Sequence, residues 1–555
     1  MKELYLDIFE KALSAYTPER IRDYIDEVKR DGLREHGFPR LGVNIGVLIA
    51  YGRRVDLMDT FLEIIDICCE EMPKSIAGND FTVREMCCLL MLLESKGTVE
   101  KERIEGWKNK LRGFDPWKYY TVVDSHTGEF VANWAMFSGV SEYLRGAYLG
   151  IDTHEFVEWQ LPGQLANFDE NGMYMDDPPF ANHTIYDLVP RFLTAFLLRA
   201  GYKGKYAKRL EAILDKAAEL TLKTQSPTGE IGFGGRSNQF MHNESMLAAY
   251  CEMEASRFYE KGDVNTAGEF KAAALLAARS EFSYLSRKPI SHVKNRYDIS
   301  TLIGCEDYAY FNKYMITTAS NLYPAIMFGN DDIKPTVALA TKGGIVASTS
   351  DAFHRTYLTA GGYHAQVDTL ADFMYDASGI GRIHKAGCPA VLCLSTPFCQ
   401  RPHYILEEKN PSSMSICPYI NDGGRLLFGA EKYARYILTD KTEAANEVSA
   451  TFRVDVTREF AVTQKITVNA NGVDIETDGA DGIMLPAFAF DGKDHTKISA
   501  KSGEIRVEYE GYYCKYSFVG TPEEYKTYYN RNGRYKVFKV PADKVHVEMG
   551  KINEI

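Results

Sequence analysis

Up to about Phe328, apolar residues recur at intervals of three and four. The stretch 55–71 sets Leu57, Phe61, Ile64, Ile65 and Cys68 on one face; 186–200 does the same with Val189, Phe192, Leu193, Phe196 and Leu197. Residues 246–258 repeat the pattern with Leu247, Tyr250, Met253 and Phe258. This spacing predicts amphipathic helices of several turns. Short breaks separate them: Gly113-Phe-Asp-Pro116, Pro162-Gly163, Asn171-Gly172 and Pro227-Thr-Gly229. About a dozen helices joined this way predict antiparallel pairs, arranged as an (α/α) toroid or as a superhelical solenoid. No repeated sequence period is visible, which favours the toroid.

After Asp331-Asp-Ile-Lys-Pro335 the period changes from helical to two. Alternation predicts strands at Val337-Ala-Leu-Ala, Gly344-Ile-Val-Ala-Ser, and the runs starting at Ala450, Phe460 and Glu504. Turn signals stand between them: Asn469-Ala-Asn-Gly472, Asp491-Gly492 and Arg531-Asn-Gly533. Many short strands with such turns predict an antiparallel β-sandwich. The expected fold is therefore multi-domain, α then β: an N-terminal (α/α) toroid over 1–331, carrying the catalysis, and a C-terminal antiparallel β-sandwich over 332–555.

The 555 residues exceed what one core usually serves, which agrees with two domains. A formal net charge of −12 argues against a nucleic-acid binder. An acidic ligand then needs a local cluster of cations and amide donors. The 35 Tyr and 29 Phe suit an aromatic-lined, wet cleft. No apolar run is long enough to span a bilayer, and the first residues lack the pattern of a signal peptide, so a cytoplasmic, membrane-free protein is expected, or a secreted chain trimmed at its start. The 11 Cys include the adjacent pairs Cys68-Cys69 and Cys87-Cys88 but no CxxC, which reads as reduced thiols.

Five clusters carry candidate chemistry. In Ile231-Gly-Phe-Gly-Gly-Arg-Ser-Asn-Gln-Phe-Met-His-Asn-Glu244, a Gly-rich turn delivers Arg236, Asn238 and Gln239. It then enters a helix bearing His242 and Glu244, on which Asn238 and His242 are expected to share a face. A plain helix cap explains Ser237 or Asn238 equally well. The polar loop from Asn171 supplies Asp176, Asp177 and His183 ahead of Tyr186. Tyr308, Tyr310 and Lys313 precede the last helix of the ring, and Asn133-Trp134 opens another, Trp134 serving as a sugar platform or as core. In the β half, His364, Asp368 and His384 project toward the helices or hold a divalent metal; no tight ligand spacing supports the metal.

These clusters, in this order over residues 120–390, resemble the helical-toroid-plus-sandwich polysaccharide lyases of the heparinase II/III-like and oligoalginate lyase group. The similar elements are Asn133-Trp134, the acidic loop from Asp177 to Tyr186, and Gly362 to Asp368. A looser similarity, through Gly234-Gly-Arg-Ser, is to a helical family that includes exo-acting glucuronidases. The resemblance implies β-elimination beside a uronate carboxylate, with no required cofactor and an acidic oligosaccharide as partner. Arg236, Asn238 and Gln239 would neutralise the carboxylate. His242 or His183 would be the base, and Tyr308 or Tyr310 the acid. Asn133, Trp134, Asp177, Tyr186, Glu244 and His364 would bind substrate. Two alternatives stay open: a glycoside hydrolase using two carboxylates from Asp176, Asp177, Glu244, Glu306 and Asp307, and a glycan- or protein-binding scaffold without catalysis.

Overall fold

The computed structural model describes residues 1–122, 133–176 and 183–552. Its first half is helical, with α1 (Lys2–Leu13), α2 (Pro18–Asp31), α3 (Gly37–Ala50), α4 (Met58–Glu71), α5 (Asn79–Lys96), α6 (Lys101–Arg112) and the single turn α7 (Pro116–Tyr119). There follow α8 (Asn133–Leu149), α9 (His154–Leu165), α10 (Thr184–Arg199), α11 (Ala207–Thr224), α12 (His242–Glu260), α13 (Val264–Ser286), the short α14 (Phe311–Met315) and α15 (Thr317–Phe328). Six helices close a ring: α3 packs on α5, α5 on α8, α8 on α10, α10 on α12, α12 on α15, and α15 back on α3. The last contact makes a toroid, because the end helices of a solenoid do not meet.

Inner and outer helices differ as burial requires. Every residue of α3 is buried, and α5, α8, α10 and α12 are nearly so. Outer helices such as α11 bury one stripe, Leu210, Ile213, Leu214, Ala217, Ala218 and Leu222, and leave the other face wet. Among the described residues no helix is long and apolar enough to cross a membrane.

Beyond Phe328 the segment from Val337, where alternation predicts a strand, instead forms a one-turn helix, α16 (Leu339–Lys342). Four alternating residues do not fix a strand when a helical surface is at hand, and α16 packs on α11 and α13. The strands begin afterwards: β1 (Ile345–Ser348), β2 (Arg355–Ala360), β3 (Tyr363–Asp368), β4 (Gly379–Lys385), β5 (Cys417–Asp422), β6 (Arg425–Phe428), β7 (Arg435–Ala444), β8 (Glu447–Asp455) and β9 (Ala461–Asn469). The rest are β10 (Gly472–Asp478), β11 (Gly482–Phe490), β12 (Lys497–Lys501), β13 (Glu504–Tyr509), β14 (Tyr512–Phe518), β15 (Glu523–Asn530), β16 (Gly533–Val540) and β17 (Lys544–Lys551). They form antiparallel sheets ordered β1-β2-β3-β4, β12-β13-β14-β17-β10-β9-β8-β7 and β15-β16-β11-β5-β6. β2 and β3 pack on β8 and β9, and β11 packs on β12 and β13, so the long sheet is one layer and the two shorter sheets form the other.

The first sheet joins the halves. β2 and β3 are buried at every position, because one face lies on the sandwich core and the other on the toroid. Alternation sorts the side chains accordingly: Leu358, Ala365 and Val367 join the sandwich core, while Gln366 on the opposite face of β3 bonds the toroid loop at Phe233, accepting from its N–H at 2.9 Å and donating to its carbonyl at 2.7 Å.

Candidate active site

A cavity of about 550 Å³ lies at one mouth of the ring. His36 precedes α3 and Arg40 sits in its first turn; Phe81 lies in the first turn of α5. Asn133 and Trp134 open α8, Tyr186 lies in the first turn of α10, His242 opens α12, and Thr317 opens α15. All six inner helices thus turn their N-terminal ends toward one space. Helix N-termini carry unsatisfied N–H groups and partial positive charge, so the cavity favours an anion. Arg40, Arg236 and Lys313 add full charges to its wall, and Asp176 is the carboxylate there among the described residues.

The segment 231–241 reaches this wall because its glycines allow it. Gly234 and Gly235 both have positive φ. A Cβ on Gly235 would overlap His183 Nδ1, and one on Gly234 would overlap the Arg355 guanidinium. With no side chain at Gly235, His183 packs close and its Nδ1 accepts from the Arg236 N–H at 3.1 Å. Ser237 follows in the left-handed region at φ 63, a strained setting worth about 1–2 kcal/mol. Its N–H donates to Glu306 at 2.9 Å, and Asn243 donates to its carbonyl at 3.0 Å.

The sandwich grips the same loop. Asp376 accepts from the Gly235 N–H at 2.6 Å, Arg531 donates to the Gly235 carbonyl at 2.7 Å, and the two side chains pair at 3.0 Å, both fully buried. Tyr375 adds a ring edge against His183, with centroids 5.2 Å apart.

On the cavity wall, the Arg236 guanidinium lies over the Tyr186 ring at 4.6 Å and stands 3.9 Å from Asp176. Tyr186 and Tyr308 meet at Ser237 Oγ, at 3.0 and 3.4 Å. Burial, then Tyr186 and Glu306, keep the Tyr308 phenol protonated by raising its pKa. Asp176 accepts from both the backbone and the side-chain amide of Asn133, at 2.8 and 3.1 Å. Across the cavity, Arg40 is answered by Glu85 and also bonds His36 Nδ1 at 2.9 Å. Burial, with Arg40, His292 and Lys294 nearby, pulls His242 down to about 3, so its imidazole is neutral. Its Nδ1 is buried without a hydrogen-bond partner among the described residues.

Of the residues singled out in the sequence, Arg236, His242, Tyr308, Asn133, Trp134 and Tyr186 share this cavity wall. Asn238 does not join His242 on a helix face, because α12 starts only at His242 and the left-handed Ser237 breaks the chain before it. Its amide donates to the Gly232 carbonyl, and the Gln239 amide donates to Glu306. His183 is buried behind the wall, Glu244 pairs with Lys294 at 2.9 Å, and Tyr310 stands 59% exposed outside the cavity lining. Asp177 lies outside the described residues. His364 is fully buried in the first sheet and bonds Thr359 at 2.9 Å. The neighbouring donors are engaged: Asp368 with His354 at 2.7 Å, and His384 with Ser226 at 2.7 Å and Ser395 at 3.1 Å. Among the described residues no three His, Cys, Asp or Glu side chains are placed to hold a metal.

His36 and Arg40 escaped the sequence reading. Their signal was present, an imidazole and a lone guanidinium at the start of an otherwise apolar helix, His36-Gly-Phe-Pro-Arg40.

No family model and no curated protein matches the chain. Solved structures do. A mutant heparan sulfate lyase HepC from Pedobacter heparinus is 8% identical over 93% of this chain and 76% of its own, with a TM-score of 0.49. Heparinase III is 8% identical over the same shares, 93% and 76%, with a TM-score of 0.48. A Paenibacillus xanthan lyase is 8% identical over 99% of this chain and 56% of its own, with a TM-score of 0.46. The polysaccharide lyases that the sequence clusters resemble are represented among these structures.

Proposed function

We propose that this cavity cleaves a uronate-containing oligosaccharide by β-elimination. The observation that carries the reading is the meeting of six helix N-termini, cations, phenols and a neutral imidazole in one space whose described carboxylate is already bonded to Asn133. Such a lining attracts an anionic sugar and offers a base and an acid to it.

Each step needs one of these groups. Arg236 and the Asn133 amide take up charge from the uronate carboxylate, which acidifies the proton at C5. His242, neutral for the reasons above, accepts that proton, and the incoming anion strengthens it as a base. The C–H electron pair becomes the C4–C5 double bond as the C4–O bond breaks. The leaving oxygen takes the proton of Tyr308, which solvent restores while His242 releases its own. Trp134, 38% exposed on the wall, offers an apolar face to a sugar ring.

Hydrolysis by a carboxylate pair has less support. It needs two carboxyl groups at ~5–5.5 Å or ~6.5–9.5 Å. Glu244 and Glu306 are buried in other bonds, Asp307 is outside the lining, and Asp176 alone remains among the described candidates. The test is incubation with a panel of uronate oligosaccharides. Elimination raises the ultraviolet absorbance of a conjugated unsaturated uronate in step with new reducing ends. Reducing ends without that absorbance overturn the reading, and binding without turnover points to a scaffold.

A further inference from the structure

Inside the ring, beneath the cavity, stands a cation that its surroundings answer only in part. Arg84 lies one turn deeper along α5 than Phe81 of the cavity wall, is 1% exposed and is not part of the lining. It projects from α5 toward Phe137 on α8 and toward Phe192 and Phe196 on α10. The three ring centroids are 5.7, 5.4 and 4.9 Å from its Cζ. Aromatic faces attract the guanidinium charge but accept none of its in-plane N–H bonds.

Glu85 is the carboxylate paired with Arg84 among the described residues, and it is shared. Arg84 Nη2 donates to it at 3.4 Å, whereas Arg40 makes three bonds to it at 3.2, 3.0 and 2.9 Å. Two guanidinium charges thus face one carboxylate. Cys88, a turn further along α5, adds no charge, because burial lifts its thiol to about 12. Burial also pulls the Arg84 pKa down, with Glu85 opposing it, but an arginine keeps its proton in a protein.

The remaining N–H groups of Arg84 carry the inference. Its Nε and Nη1 are buried with no hydrogen-bond partner among the described residues. Asn44 stands one turn beyond Arg40 on the adjoining α3, fully buried, and both its amide atoms are likewise unpartnered. Buried donors are nearly always met in native proteins, by protein groups, ordered water or an ion. Water would meet the hydrogen bonds here but leave the second guanidinium charge unanswered. A small anion meets both.

We propose that Arg84 binds a monatomic inorganic anion, a halide such as chloride, inside the ring. Burial of the guanidinium favours an ion of one atom over an organic acid. With that anion in place, Glu85 is left to Arg40, which stands in the cavity wall. The site is independent of what the cavity above it cleaves.

Crystals of the full chain grown from bromide test this, because bromide scatters anomalously and water does not. The expected result is an anomalous peak within hydrogen-bond distance of Arg84, absent in Arg84→Met. Melting gives the counterpart in solution. At fixed ionic strength, wild type should melt ~2–4 °C higher in chloride than in gluconate, which is too large for the interior. Arg84→Met should lose that excess. If Arg84→Met does not fold, the wild-type map and the two wild-type melts still decide. An ordered water without anomalous signal, or no excess in chloride, overturns the proposal. A bromide peak without the chloride excess is binding at crystal concentration only, and overturns it too.

Discussion

Arg531, in the turn between β15 and β16, donates to the carbonyl of Gly235 across 2.7 Å, although 296 residues separate them in sequence. With Asp376 on the N–H of the same residue, the β half holds both backbone polar groups of Gly235, the residue that leads into Arg236. The sandwich therefore fixes one wall of a cavity that is otherwise helical.

Breaking this buried pair from one side should be severe. Arg531→Met leaves the buried Asp376 facing only Arg355, at 3.6 Å, so the loss should fall at the lower end of about 3–5 kcal/mol. Adding Asp376→Asn removes the stranded charge while keeping an acceptor for the Gly235 N–H, so the double variant should lose less than the sum of the singles. Denaturant midpoints measure the cycle; strict additivity would show that the two side chains are not coupled.

Two glycines with similar backbone angles should respond differently to alanine. Gly97 has φ 63 and open space around its Cβ position, so Gly97→Ala pays only the left-handed strain of about 1–2 kcal/mol. Gly235 has φ 78, and a Cβ there meets His183. Gly235→Ala should cost clearly more in melting temperature and also lower turnover, because it disturbs the His183 bond to the Arg236 N–H. Equal effects at the two positions would remove the packing argument.

His242→Ala should lower kcat by ~10²–10⁴-fold, the usual value of a general base, with circular dichroism and melting close to wild type. Turnover within a few-fold of wild type would take His242 out of the proton path.

The pH profile carries a sign. His242 is held at about 3, below the ordinary 6.5 of histidine, so the neutral base persists as pH falls through 6.5. In kcat/KM, which reports the free enzyme, the His242 limb should therefore lie well below pH 6.5, with loss only toward pH 3. A limb near 6.5 assigned to His242 by its ring proton resonances would contradict the described burial.

The two-part architecture was legible because period is a local property: apolar spacing of three and four sets helices, and alternation sets strands. Alternation failed at Val337, where four residues had to compete with a helical surface. Candidate residues of the cavity wall that stand at helix starts, Asn133, Tyr186 and His242, could be picked out as well, since helix starts leave marks in sequence. The roles of Asn238, Gln239 and Glu244 were not. Their amide and carboxylate groups turn inward to Gly232, Glu306 and Lys294, partners set by tertiary packing. The grip of Asp376 and Arg531 on Gly235 was equally hidden, because nothing in either half announces its partner in the other.

Elimination and hydrolysis differ by one water, and mass balance reads that difference directly. A single uronate oligosaccharide is digested in water enriched in heavy oxygen and both product fragments are weighed. Elimination predicts fragments whose masses sum to the intact substrate, with no label at the cleaved bond. Fragments that together exceed it by one labelled water would mean the bond is hydrolysed.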